Sequence, residues 1–221
     1  MINFFKKSKL DLPDYWLKYE NLFKTKQPEN IQDITFVVLD TETTGFSYQE
    51  DRMLCIGALK LKNNDINIGD SFEVFIHQDH YNQETAEIHG ILKEGKTTRL
   101  EELETLKLFL DYLKNAVIVA HHAGFDITFI NIALERHGLP KLKNKILDTS
   151  TLYKKTLIRS NLLVKKEHYS LDELAEKFNI SVKDRHTALG DAYITAIAFL
   201  KILVKLKEKK ITTLKQLLRI Y

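Results

Sequence analysis

From Asp33 onward the spacing of apolar residues changes character in a fixed order that few folds can accommodate: three runs of strand character come first, and helices alternating with short strands follow. The runs ITFVVLD (34–40), RMLCIGALKLK (52–62) and INIGDSFEVFIH (66–77) are rich in β-branched and aromatic residues and are parted by polar turns, as in an antiparallel meander. After Leu100 the order becomes helix (LEELETLKLFLDYL), strand (AVIVA, 116–120), helix (FDITFINIALERHG), strand (KILD, 145–148), then helices to the end. Hairpins pair antiparallel, whereas β-α-β segments need right-handed crossovers and parallel pairing. The expected fold is α/β, a mixed five-stranded sheet with helices on both faces.

With 221 residues, 44% of them apolar, the chain can bury one substantial core. Its 33 Lys and Arg nearly balance 30 Asp and Glu, so the net charge of +3 says little about partners. Cys55, the single cysteine, falls in a buried-strand pattern; it excludes an intramolecular disulfide framework and suits a reducing compartment. A membrane span needs roughly 18 or more successive apolar residues, which the sequence lacks, and the start MINFFKKSKLDLPDYW does not read as an export signal. A soluble cytoplasmic protein with no membrane partner is expected. Residues 1–32 read as an N-terminal helical appendage and linker, with Leu12, Trp16, Tyr19 and Phe23 at helical spacing and a polar TKQPEN around Pro28. That helix either packs on the main domain, 33–221, or docks a partner.

Chemistry concentrates in three places. In VVLDTETTGF, two-residue alternation puts Asp40 and Glu42 on one side of a strand, with Phe36 and Val38 behind them. Asp126 shares a helical stripe with positions 129, 130, 133 and 134, which is otherwise apolar; Asp191 shares another with Ala188, Thr195, Ala198 and Ile202. An unpaired buried carboxylate costs several kcal/mol, so inward acids on separate elements call for a common positive partner. Hard oxygen donors without cysteine suit magnesium, with manganese able to substitute, and two such ions stabilise both the attacking and leaving oxygens of a phosphodiester. His186, five residues before Asp191 and just ahead of its helix, is placed to lean over the site as a general base.

DTETTG (40–45), HHAGFD (121–126) and HTALGD (186–191) resemble, in order and spacing, the three motifs of the DEDDh, or DnaQ-like, exonuclease superfamily. IHGI (88–91) is similar to a further segment of the proofreading subunits of bacterial replicative polymerases, the epsilon-subunit-like exonucleases, so the resemblance spans roughly 34–205. It implies a ribonuclease H-like fold, two magnesium ions held by Asp40, Glu42, Asp126 and Asp191, and His186 as the base that activates water. It further implies that Thr43, Thr44, Gly45 and Phe46, with His89 and Phe125, cradle the terminal nucleotide, where stacking on an aromatic ring is tolerant of sequence. His122 stands where the family commonly has asparagine.

Duller readings attach to other residues. Asp148 in ILDTS reads as a helix cap, and His121 and His122 beside a buried strand read as hydrogen-bonded scaffold. His77, His80, His137 and His168 carry no partner pattern and are expected at the surface. Between Lys141 and Lys166, eight basic residues (Lys141, Lys143, Lys145, Lys154, Lys155, Arg159, Lys165, Lys166) face one acid, Asp148. They form either a solvated face or a phosphate-binding one. The expected function is a 3′→5′ exonuclease on single-stranded or frayed DNA, in replication proofreading or repair, with a DNA polymerase as the partner in the first case. An RNA exonuclease of the ribonuclease T or oligoribonuclease kind and an inactive nucleic-acid-binding module are the alternatives. Since only the short ITTLKQLLRIY follows the last catalytic helix, an enzyme working alone stands beside one tethered to a polymerase.

Overall fold

The computed structural model describes residues 12–93, 97–157 and 166–221. Its sheet has six strands: β1 (Phe36–Thr43), β2 (Met53–Lys62), β3 (Asp65–Ile76), β4 (Arg99–Leu100), β5 (Val117–Ala120) and β6 (Ile146–Asp148), in the order β4-β3-β2-β1-β5-β6. β1–β2 and β2–β3 pair antiparallel; β1–β5, β5–β6 and β3–β4 pair parallel. The expected mixed sheet is therefore present with one strand more than five. β4 is the addition, and two residues are too few to carry any periodicity. The described helices are α1 (Asp14–Asn21), α2 (Gln83–His89), α3 (Glu102–Leu113), α4 (Gly124–Arg136), α5 (Thr149–Thr156), α6 (Leu171–Phe178), α7 (Ala188–Glu208) and α8 (Leu214–Ile220).

Alternation along β1 divides the core in two. Val37 and Leu39 point to one face, where α3 and α4 cover them with Leu106, Phe109, Phe129, Ile130 and Leu134. Phe36 and Val38 point to the other, where α5, α6, α7 and α8 supply Leu152, Leu174, Phe199, Ile202 and Leu217. A strand buried on both faces reads as a continuous apolar run, which is why FVVL carries no polar residue. The N-terminal helix α1 joins the first face: Trp16 is fully buried in it, and the Tyr19 hydroxyl donates to Asn144 Oδ1 (2.6 Å) while accepting from the Lys143 amide (2.9 Å). The stretch after it is tied down by Ile31 N–H to Thr212 O (3.1 Å) and Leu214 N–H to Glu29 O (2.9 Å).

One contact decides how α7 meets the sheet. A Cβ on Gly57 of β2 would lie 2.3 Å from the Ala188 carbonyl carbon and the Leu189 amide nitrogen, so the start of α7 rests directly on the β2 backbone. In the register, Gly57 faces Asp40, and the first turn of α7 is thereby delivered to the acidic end of β1.

Candidate active site

The acids of β1 lie where the strand leaves the sheet. Pairing places Asp40 opposite Gly57 and Glu42 opposite Cys55, and the register slips between Glu42 and Thr43, turning the chain out of the ladder. Asp191 arrives from the first turn of α7, whose N-cap Thr187 accepts from the Gly190 amide. Oxygen atoms of Asp40, Glu42 and Asp191 all come within 4.8 Å of one another. Burial, first, and then the neighbouring acids raise Asp40 well above its usual range and Glu42 to about 7, while burial raises Asp191 against the opposing charges of Arg185 and His186. Among the described residues the buried Asp191 Oδ1 has no hydrogen-bond partner. Crowded, desolvated oxygens of this kind with an unused lone pair fit a divalent cation.

Asp126 stands apart from that trio. It sits in the first turn of α4, which covers the opposite face of the sheet, and Thr41, pointing to that face, holds it with its amide (2.9 Å) and hydroxyl (2.7 Å), both donating to Oδ1. Burial raises its carboxyl to about 7 against those two bonds, and its charge is the second cause of the rise at Asp40. The four acids thus meet around the end of β1 from both faces, with Asp126 turned towards Thr41.

The turn after β1 is built on another acid, Asp51. Its Oδ1 accepts from the Thr44 hydroxyl (2.7 Å) and its Oδ2 from the Ser47 amide (2.8 Å), and a Cβ on Gly45 would fall 2.4 Å from Oδ2. The Thr43 hydroxyl donates to Gly45 O (2.7 Å). This turn projects Phe46, 78% exposed, towards Phe125 (ring centroids 5.9 Å apart), while Tyr48 leans on Phe125 and Phe129. His89 ends α2 ahead of Gly90, whose φ of 70° closes the helix; the His89 Nδ1 accepts from the Ile91 amide (3.0 Å), and its buried Nε2 has no hydrogen-bond partner among the described residues. A cavity of about 260 Å³ opens there, lined in part by Glu42, Cys55, His89 and Arg99.

His186 is exposed in left-handed backbone (φ 65°), close enough for its charge to bear on Asp191 and Asp172. Arg185 beside it drew no attention in the sequence, yet its Nη1 donates to Asp191 Oδ2 at 2.5 Å. The available signal was its place beside His186, six residues ahead of Asp191. Asp148 caps α5, accepting from Thr151 N–H (2.9 Å), and also takes the Ala123 amide (2.7 Å), which braces the start of α4. His121 is scaffold, with Nδ1 2.8 Å from the Thr149 hydroxyl and Nε2 2.9 Å from Tyr169 O, and burial lowers it to about 4. His122 departs from that expectation: it is exposed in left-handed backbone (φ 57°), its ring stacked on His121 and edge-on to His168. Three other histidines have acidic neighbours that sequence spacing does not reveal: His77 with Glu101, His80 with Asp51 and His137 with Glu102. In the basic stretch, Lys141, Lys143 and Lys166, three of its six described basic residues, pair with Glu135, Glu20 and Glu173; Arg159 and Lys165 lie outside the described residues, as does the segment before Leu12. Among the described residues no helix is long and apolar enough to cross a membrane.

A mixed sheet in this order, with the three motif-bearing acids gathered at the end of its central strand and the fourth beside them, defines a DEDDh, DnaQ-like exonuclease. The family profile for RNase_T, described as Exonuclease, matches residues 37–199, and the chain belongs to that family. That family is one of exonucleases that depend on divalent metal. It is 35% identical over 189 residues to a PolC-type DNA polymerase III of Thermotoga petrophila and 39% identical over 175 residues to that of Caldanaerobacter subterraneus subsp. tengcongensis. Those matches cover 85% and 78% of this chain but only 13% and 12% of the two polymerases. Its fold is like that of E. coli ExoI in complex with ssDNA (TM-score 0.64, 20% identity, 81% of this chain and 42% of that one). Exonuclease X in complex with 5′ overhanging duplex DNA is a second structural likeness (TM-score 0.60, 21% identity, 85% and 98%).

Proposed function

We propose that this chain is a 3′→5′ exonuclease that removes nucleoside 5′-monophosphates from single-stranded or frayed DNA 3′ ends, in proofreading or repair. The observation that carries the reading is the convergence of Asp40, Glu42 and Asp191 within 4.8 Å, with Asp126 adjoining and exposed Phe46 facing Phe125 alongside. Asp40, Glu42, Asp126 and Asp191 would hold two magnesium ions, or manganese, which supply Lewis-acid stabilisation of the charge developing on the attacking and leaving oxygens.

The chain's own residues do the rest. Phe46 and Phe125 stack the terminal base, while Thr43, Thr44, Gly45 and His89 seat its sugar, so the last phosphodiester lies over the carboxylates. His186 accepts the proton of the attacking water at a ring nitrogen. The P–O3′ bond breaks, leaving a 3′-hydroxyl on the shortened strand and a 5′-phosphate on the released nucleoside. The relatives named as PolC-type DNA polymerase III, and the ExoI and Exonuclease X complexes with DNA, favour DNA over RNA and make a polymerase a credible partner.

The test is product analysis with 5′-labelled single-stranded DNA and RNA of one sequence, with magnesium or with chelator. Stepwise metal-dependent shortening of the DNA is expected, lost in Asp40→Ala and Asp191→Ala and reduced by at least about 100-fold in His186→Ala with binding kept. Shortening of RNA alone would reassign the substrate. Binding without any cleavage would make the chain an inactive module.

A further inference from the structure

Arg185 presents a fork of donors held at both ends. Its Nε and Nη2 donate to the two carboxylate oxygens of Asp172 (2.7 and 3.2 Å), and its Nη1 donates to Asp191 Oδ2 (2.5 Å). Asp172 is the second residue of α6, a helix fixed at its start by a reciprocal capping box between Ser170 and Glu173. The anchor is thus rigid, and 60% exposed, while the other end of the fork reaches the buried Asp191, which is 7% exposed. The guanidinium charge opposes the rise in the carboxyls of Asp40, Glu42 and Asp191 alike, so it acts on the cluster as a whole.

We infer that Arg185 is the resident counter-cation of the carboxylate cluster, competing with divalent metal for Asp191 while Asp172 holds the guanidinium in reserve. The inference rests on the reading that Asp191 is a metal ligand. A dication sharing Asp191 with the guanidinium faces like-charge repulsion in a site screened from water. Loss of the Nη1 bond leaves the bidentate pair with Asp172 intact, so Arg185 has a second partner that does not depend on the cluster. Arg185 is a positioning residue in this account: it keeps three crowded acids compatible with the folded chain before metal enters, and it weakens metal binding in return.

Manganese binding to the full chain, stripped of metal and free of nucleic acid, tests this by calorimetry, with melting curves in chelator and in manganese. Arg185→Gln should bind manganese about tenfold tighter than wild type, melt lower in chelator, and gain more from manganese than wild type does. Arg185→Lys keeps the charge but cannot bridge both acids; its affinity should fall between the two, and it serves in place of Arg185→Gln should that variant not fold. Folded variants that bind manganese no more tightly than wild type overturn the counter-cation. No saturable manganese binding by wild type overturns the metal reading itself, a different failure.

Discussion

Alternation along β1 gives Asp40 and Glu42 to one face and leaves Thr41, between them, to meet Asp126 on the other. Two donors from one residue fix one carboxylate oxygen, and bonds to a charged acceptor are the stronger kind. Thr41→Val keeps the shape and the amide bond and removes the hydroxyl. Turnover should fall about tenfold, with the melting temperature nearly unchanged and DNA binding retained, as single-turnover kinetics and a filter-binding titration would read. A melting loss matching the activity loss would make Thr41 a structural residue instead. What the sequence discloses at this scale is local. A period of two suffices to place Asp40 beside Glu42, and a period of 3.6 suffices to turn Asp126 and Asp191 inward. It does not disclose that Asp126 reaches for Thr41 rather than for the trio, nor that Arg185 bridges Asp172 and Asp191, because those contacts depend on which elements the fold brings together.

Among elements, the approach of α7 to β2 sets the site, and it depends on Gly57. With the Ala188 carbonyl carbon and the Leu189 amide nitrogen 2.3 Å from the place of a Cβ, Gly57→Ala must push backbone aside, not a pliable side chain. Overpacking of this kind costs about 1–3 kcal/mol, and the displaced turn carries Asp191. Urea unfolding should show that loss, and manganese should stabilise the variant less than it stabilises wild type; a variant as stable and as metal-responsive as wild type would mean that α7 can shift without consequence. The strand-then-alternation order of the chain was legible because long runs carry their period. β4 was not, since its two residues owe their pairing to Phe75 and Ile76. Helix α1 was visible from Trp16 and Tyr19 at helical spacing, but its choice of face was not, because it follows from the bonds Tyr19 makes with Lys143 and Asn144.

At the scale of the whole molecule, folding gathers acids that repel one another, and the cost shows as a dependence of stability on pH. Glu42 and Asp126 hold their protons up to about 7 in the folded chain, against ordinary values of 4.5 and 3.8. A carboxyl raised by folding contributes stability that is complete below the ordinary value and is lost as pH climbs through the raised one. His121 works in the opposite sense: lowered from 6.5 to about 4, it contributes stability that is complete above 6.5 and is lost as pH falls towards 4. The two effects oppose each other between about pH 4 and 6.5 and separate above it, so the interval from pH 6.5 to about 8 isolates the acids. In chelator the melting temperature should fall across that interval, and saturating magnesium or manganese should flatten the curve, because a cation replaces the protons that held the acids together. A metal-free curve that stays level from pH 6.5 to 8 would mean that the carboxylates are already neutralised by groups of the chain itself, Arg185 foremost, and that metal adds little to the fold.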